Sequence, residues 1–171
     1  MIVPNVAPLL LQFADARTHV HSLPGSDGAV QLDLAVGVGA LAADVLRHTP
    51  PSPLEIEQAI EIVEEAVMPA HALLPKAMQL ICTDPQLGKL SSKELSAQYE
   101  SQFVANATVQ WLGIDAVEQL FNRMVARAEG RPASQDEINV DGASAARLVI
   151  VREILHHWRL EGLYVTTGEG G

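Results

Sequence analysis

Near the C-terminus a carboxylate and an imidazole stand one helical turn apart: Glu153 and His157, with Glu161 a further turn on. On a helix such i, i+4 partners share a face. A carboxylate that orients an imidazole also raises its basicity, which is what general acid–base chemistry asks for. Glu153 and His156 have the Glu-x-x-His spacing by which helix bundles hold paired irons, but such sites need a second copy and two more glutamates on other helices, and the sequence holds one copy. Glu153 and His157 are therefore the candidate catalytic pair. The blander alternative is an ion pair that decorates a helix.

A second set of groups has metal-ligand chemistry. Glu57, Glu61 and Glu64 recur at i, i+4 and i+7, and no Lys or Arg lies between Arg47 and Lys76. Like charges on one stripe repel, so water, a basic protein partner or a metal must answer them. His19 and His21 are two apart in an alternating segment, which turns both rings to the same side of a strand. A third donor would be needed to close a site there. Glu57, Glu61, Glu64, His19 and His21 are the candidate metal ligands, with Glu153 and His157 as the groups that could join the glutamates. Oxygen-rich ligation of this kind suits Mg²⁺, Mn²⁺ or Fe²⁺. No motif identifies a cofactor. Gly37-Val38-Gly39-Ala40-Leu41-Ala42 resembles a phosphate turn, but that pattern carries meaning only inside a βαβ unit, and a second helix follows the first here. Cys82 is the single cysteine, follows Leu80 and Ile81, and has no base within five residues; it reads as a core thiol.

These groups need elements to position them. Residues 18–23 and 29–36 alternate around the turn-forming 24–28 and predict a β-hairpin. Residues 37–48 predict a helix. Ser52, Pro53 and Glu55 form a strong start signal for another, over 53–68. Residues 69–84 are expected to be a shorter helical piece restarted after Pro75. Ser91 and Glu94 predict a helix reaching Leu112, and Asp115 opens the next, over 116–129, which Gly130 stops. The helix over 143–161 is apolar on nearly every side, so it must be buried on nearly every side. LYVTT at 163–167 predicts a closing strand. The expected fold class is α+β: five or six helices packed on a small antiparallel sheet made of the N-terminal β-hairpin and the C-terminal strand. One globular domain over 1–171 is expected. Residues 1–13, interrupted by Pro4 and Pro8, are expected to be an apolar arm, and 168–171 a frayed tail.

Composition sets the outer limits. The chain has 171 residues, 48% hydrophobic and 19% charged, with a net charge of −10. That is too apolar for a disordered chain, and large enough to fold without disulfides. An acidic balance argues against nucleic acid and against an anionic membrane surface. No leader segment or membrane span is legible, so a cytoplasmic location is expected. Mean hydropathy is +0.15, and together with the apolar arm it suggests surplus apolar surface. The expectation is accordingly a homo-oligomeric binding or regulatory protein. Two other functions stay open: a small-molecule enzyme with a Glu/His acid–base or metal site between the 53–68 and 143–161 helices, and an acidic-face binder of a basic protein partner.

Overall fold

The computed structural model describes residues 6–24, 26, 28–95, 98–100 and 108–166. The expected frayed tail at 168–171 lies outside them. In chain order the elements are β1 (Ala7–Phe13), β2 (Thr18–Ser22), β3 (Gln31–Leu34), α1 (Val38–Asp44), α2 (Pro53–Ala70), β4 (Met78–Cys82), α3 (Pro85–Leu90), β5 (Gln98–Glu100), β6 (Thr108–Gly113), α4 (Ile114–Ala128), α5 (Gly142–His157) and β7 (Gly162–Thr166). Single 3₁₀ turns follow α2 and α4.

The fold is α+β, but its sheet is neither small nor purely antiparallel. Seven strands run in the order β3-β2-β1-β4-β7-β6-β5. β1, β2 and β3 form an antiparallel meander that includes the expected hairpin. β4 then lies parallel to β1, and β7 parallel to β4. β6 pairs antiparallel with β7 and with β5.

Three expectations are corrected. The apolar N-terminal segment is no arm, because residues 7–13 form a strand bonded on both sides. Pro8 is tolerated there for a local reason. The Ala7 N–H points toward the β4 side, to Ala77 O, so the missing donor of Pro8 points toward β2, whose pairing begins only at Leu9. Residues 78–82, expected to be helical, form β4; Leu80, Ile81 and Cys82 are all buried, and a strand covered on both faces loses its alternation. Where a helix was expected from Ser91 to Leu112, the described residues form β5 and β6. The Ser91 hydroxyl donates to Leu87 O at the end of α3 instead of capping a new helix.

The helical signals elsewhere act as their chemistry dictates. The Ser52 hydroxyl accepts from Glu55 N–H and the Glu55 carboxylate accepts from Ser52 N–H, closing the capping box of α2. Asp141 caps α5 by accepting from Ser144 N–H at 2.7 Å. α5 is the hub of the helical layer and touches α1, α2, α3 and α4. Beneath the helices, Leu9, Leu11, Val20, Leu80, Leu163 and Val165 form the inner row of the sheet, all fully buried. Leu10, His21 and Tyr164 on the opposite face are only half-buried, so the helices cover one face. No described helix is long and apolar enough to cross a membrane.

Ile150, at 0% exposure in the middle of α5, offers a direct test of this hub. Ile150→Ala is expected to cost about 2–5 kcal/mol through lost burial and the cavity left behind. Urea unfolding should show a lower midpoint with an unaltered slope.

Candidate functional site

Two places hold polar groups that the fold brings together. The first is the seam between α2, α4 and α5. Glu153 sits among the buried apolar residues of α5 and is 2% exposed. A carboxylate buried so deeply needs partners. Arg152 donates to its Oε1 at 2.6 Å and to Glu118 Oε1 on α4 at 2.8 Å. The guanidinium also lies 4.3 Å from the centre of the Phe121 ring. His156 bonds the same Glu118 carboxylate. The second oxygen of Glu153 lies 3.3 Å from His157 Nε2, and Glu64 Oε1 lies 3.2 Å from that same nitrogen.

The sequence pair Glu153 and His157 is thus brought together, and Glu64 joins it from α2. Glu57 and Glu61 remain exposed on α2 and outside the group that Glu64 completes. His19 pairs instead with Asp33 across β2 and β3 at 2.5 Å, and His21 faces Gln31 in the register; both histidines line an open hollow on the uncovered face of the sheet. Cys82 is fully buried, and burial pushes its thiol up to about 12, which keeps it an inert core group. Arg152 and Glu118, which tie the seam together, were missed by sequence reasoning. The i, i+4 rule finds partners on one helix and not a partner 34 residues away.

The second place is the edge of the sheet where β1, β4 and β7 end. The chain runs from β1 through β2 and β3 to one side and then crosses to β4 on the other. In open sheets with parallel neighbours, the crevice outside the carboxyl ends at such a reversal is where ligands bind. Here the exposed turn 14–17 follows β1, and α1 starts against it. Val38 N–H donates to Ala14 O and Ala40 N–H to Asp15 O. Only glycine allows this approach: a Cβ on Gly37 would sit 2.3 Å from Asp15 O and 2.5 Å from Arg17 N. The Gly-x-Gly pattern is therefore a packing device against the β1–β2 turn. Arg17 is exposed on that turn and makes no ion pair among the described residues. At the end of β4, Asp84 caps α3 and is held by Arg147 Nε at 3.1 Å. Beside α3, a hollow of about 240 Å³ is lined by charges of both signs, Lys89, Lys93 and Arg123 with Glu94 and Glu137.

No family model matches the sequence, and no curated protein matches it. Solved structures do match its fold. A Ppx/GppA enzyme of Aquifex aeolicus superposes with a TM-score of 0.66 at 15% identity, covering 95% of this chain and 54% of the other. An exopolyphosphatase from Cytophaga hutchinsonii gives 0.67 at 14% identity, over 96% of this chain and 54% of the other. An exopolyphosphatase-like protein gives 0.61 at 12% identity, over 96% and 57%. At such identities the likeness is one of fold, and the chain spans about half the length of these structures. The expectation of a binding or regulatory protein is corrected by these neighbours, which are Ppx/GppA enzymes and an exopolyphosphatase. The physical ground of that expectation also fails: the apolar segment taken as surplus surface is a bonded strand of the sheet.

The charged networks set an acid limit to stability. Burial raises the Glu118 carboxyl, but the hydrogen bond from His156 and the charge of Arg152 outweigh it and hold the group below its ordinary value of 4.5. Glu55 is likewise held down against its burial by Ser52 and His48, and Asp136 is held down by Arg123. A carboxylate depressed in the folded state stabilises fully above its unfolded value and loses that contribution as pH falls through the folded one. Stability is therefore expected to be flat near neutrality and to fall as pH drops below about 4.5. Glu118→Gln should be less stable than wild type at pH 7 and lose less on acidification, as followed by thermal melts at each pH.

Proposed function

We propose that this chain is a phosphatase-like enzyme fold whose ligand is a phosphoanhydride chain such as inorganic polyphosphate. One observation carries the proposal: 95–96% of the chain superposes on Ppx/GppA and exopolyphosphatase structures at TM-scores of 0.61–0.67. The geometry of the sheet supports a place for the ligand. The reversal between β1 and β4 supports a ligand position outside the carboxyl ends of these strands, beside the turn 14–17, where Arg17 presents to solvent a guanidinium that makes no ion pair among the described residues. Guanidinium groups bind phosphate oxygens in a fork, with charge and direction together. Arg147 nearby is already paired with Asp84, and the lysines of the neighbouring hollow stand among Glu94 and Glu137, so Arg17 is the group on which this reading rests. For an acidic protein a polyphosphate is best offered as its magnesium salt, because the cation neutralises charge on the incoming ligand.

Calorimetric titration with magnesium polyphosphate, together with a phosphate-release assay, tests this. Saturable binding is expected, and Arg17→Ala should weaken it at least tenfold (about 1.4 kcal/mol) with an unchanged melting temperature, since Arg17 is exposed. Release of phosphate by the wild type supports the hydrolytic half of the proposal, and binding without release removes that half. Neither binding nor release removes it altogether.

A further inference from the structure

We infer that Glu64, Glu153 and His157 form a binding site for one divalent transition-metal ion of the Zn²⁺ or Co²⁺ type, which ties α2 to α5. Their donor atoms all lie within 4.8 Å of one another. His157 Nε2 stands 3.2 Å from Glu64 Oε1 and 3.3 Å from Glu153 Oε2. Both separations are long for a charge-assisted hydrogen bond, which closes to about 2.7–2.9 Å. One Nε2–H can also point at only one of the two oxygens. The spacing suits a common cation better: bonds of about 2.0–2.2 Å to nitrogen and oxygen place neighbouring donors roughly 3–3.5 Å apart.

The surroundings supply what such a site needs. Arg152 holds Glu153 Oε1 at 2.6 Å, leaving Oε2 toward His157. Arg152 is fixed in turn by Glu118 at 2.8 Å and by the Phe121 ring. Outer contacts of this kind orient ligands and tune their basicity. The approach is open on one side: the Glu64 and His157 side chains are 39% and 25% exposed while Glu153 is 3% exposed. An ion can enter past the first two and complete its coordination with water. One imidazole and two carboxylates select the borderline cations over Mg²⁺ or Ca²⁺, which prefer oxygen throughout. The site lies near the C-terminal ends of α2 and α5, toward the opposite end of the sheet from the β1–β4 crevice, and does not rest on the proposed phosphate ligand.

Chelator-treated protein titrated with Co²⁺ is expected to develop visible d–d absorption saturating at one ion per chain, to lose it on addition of Zn²⁺, and to melt at a higher temperature with either ion. Glu64→Gln and His157→Gln, both at partly exposed positions, should each weaken Co²⁺ at least tenfold and remove the thermal shift. Arg17→Ala should bind Co²⁺ as wild type does, so a failure of the metal site and a failure of the phosphate ligand are seen separately. Absence of both the Co²⁺ spectrum and the thermal shift overturns the inference. So does binding left unchanged by the two variants, which would assign the ion to other histidines.

Discussion

A helix that is apolar on nearly every side has to be enclosed, and α5 imposes that requirement on the rest of the chain. Ten of its side chains are buried, from Ser144 to Leu155. Its apolar residues share one core cluster with the inner row of the sheet. The remaining sides call for other helices, and α1, α2 and α4 are placed against them. The Trp158 indole N–H donates to Val67 O at 2.9 Å, closing the far end of the α2–α5 seam. Each buried aliphatic side chain contributes about 1.5–3 kcal/mol, so no surface ion pair competes with this enclosure in setting the architecture.

The enclosure makes Glu153 expensive and thereby informative. A carboxylate in such a helix cannot be left to water, so the chain supplies Arg152 beside it. That half-buried guanidinium is held in turn by Glu118 and the face of Phe121. The chain of obligations runs across three helices and leaves one oxygen of Glu153 to His157 and Glu64. Formal charges do not balance there. Glu64, Glu118 and Glu153 face a single guanidinium, with two imidazoles to make up the difference. Such a deficit is answered by water at the open side or by a cation. Hydrophobic replacement of the whole network would cost little stability in principle, so its presence in a core helix points to specificity or binding over stability.

The sequence was most legible where signals are local. The Ser52/Glu55 box starts α2, Gly130 at φ +105° follows α4, and the alternation around 24–28 gives the β2–β3 hairpin. Glu153 and His157 were legible for the same reason, being one turn apart, and Glu64 was among their expected partners. What failed was long-range. Whether residues 78–82 are helix or strand depends on what covers them, and burial on both faces erases the period that would tell. Pro8 in a strand is acceptable only because pairing with β2 starts one residue later, which the local sequence does not encode. Residues 108–113 pair with β7, some fifty residues on, and the expected helix there ignored that partner. Arg17 carries no motif at all. Its interest comes from strand order, because the turn after β1 is a candidate ligand edge only when β4 is parallel and adjacent.

Net charge at first sight argues against a polyanionic ligand, but it acts over a different distance from the site. A net of −10 sets the long-range field, which salt screens within about 8–10 Å. Binding is decided inside that length by the groups within reach. At the carboxyl edge those groups are Arg17 beside Asp15, Arg147 paired with Asp84, and the lysines beside α3 among Glu94 and Glu137. The acid excess is concentrated on α2, which carries Glu55, Glu57, Glu61, Glu64 and Glu65. Composition therefore excludes a protein coated in phosphate contacts, as a nucleic-acid module must be, while leaving room for one narrow phosphate crevice.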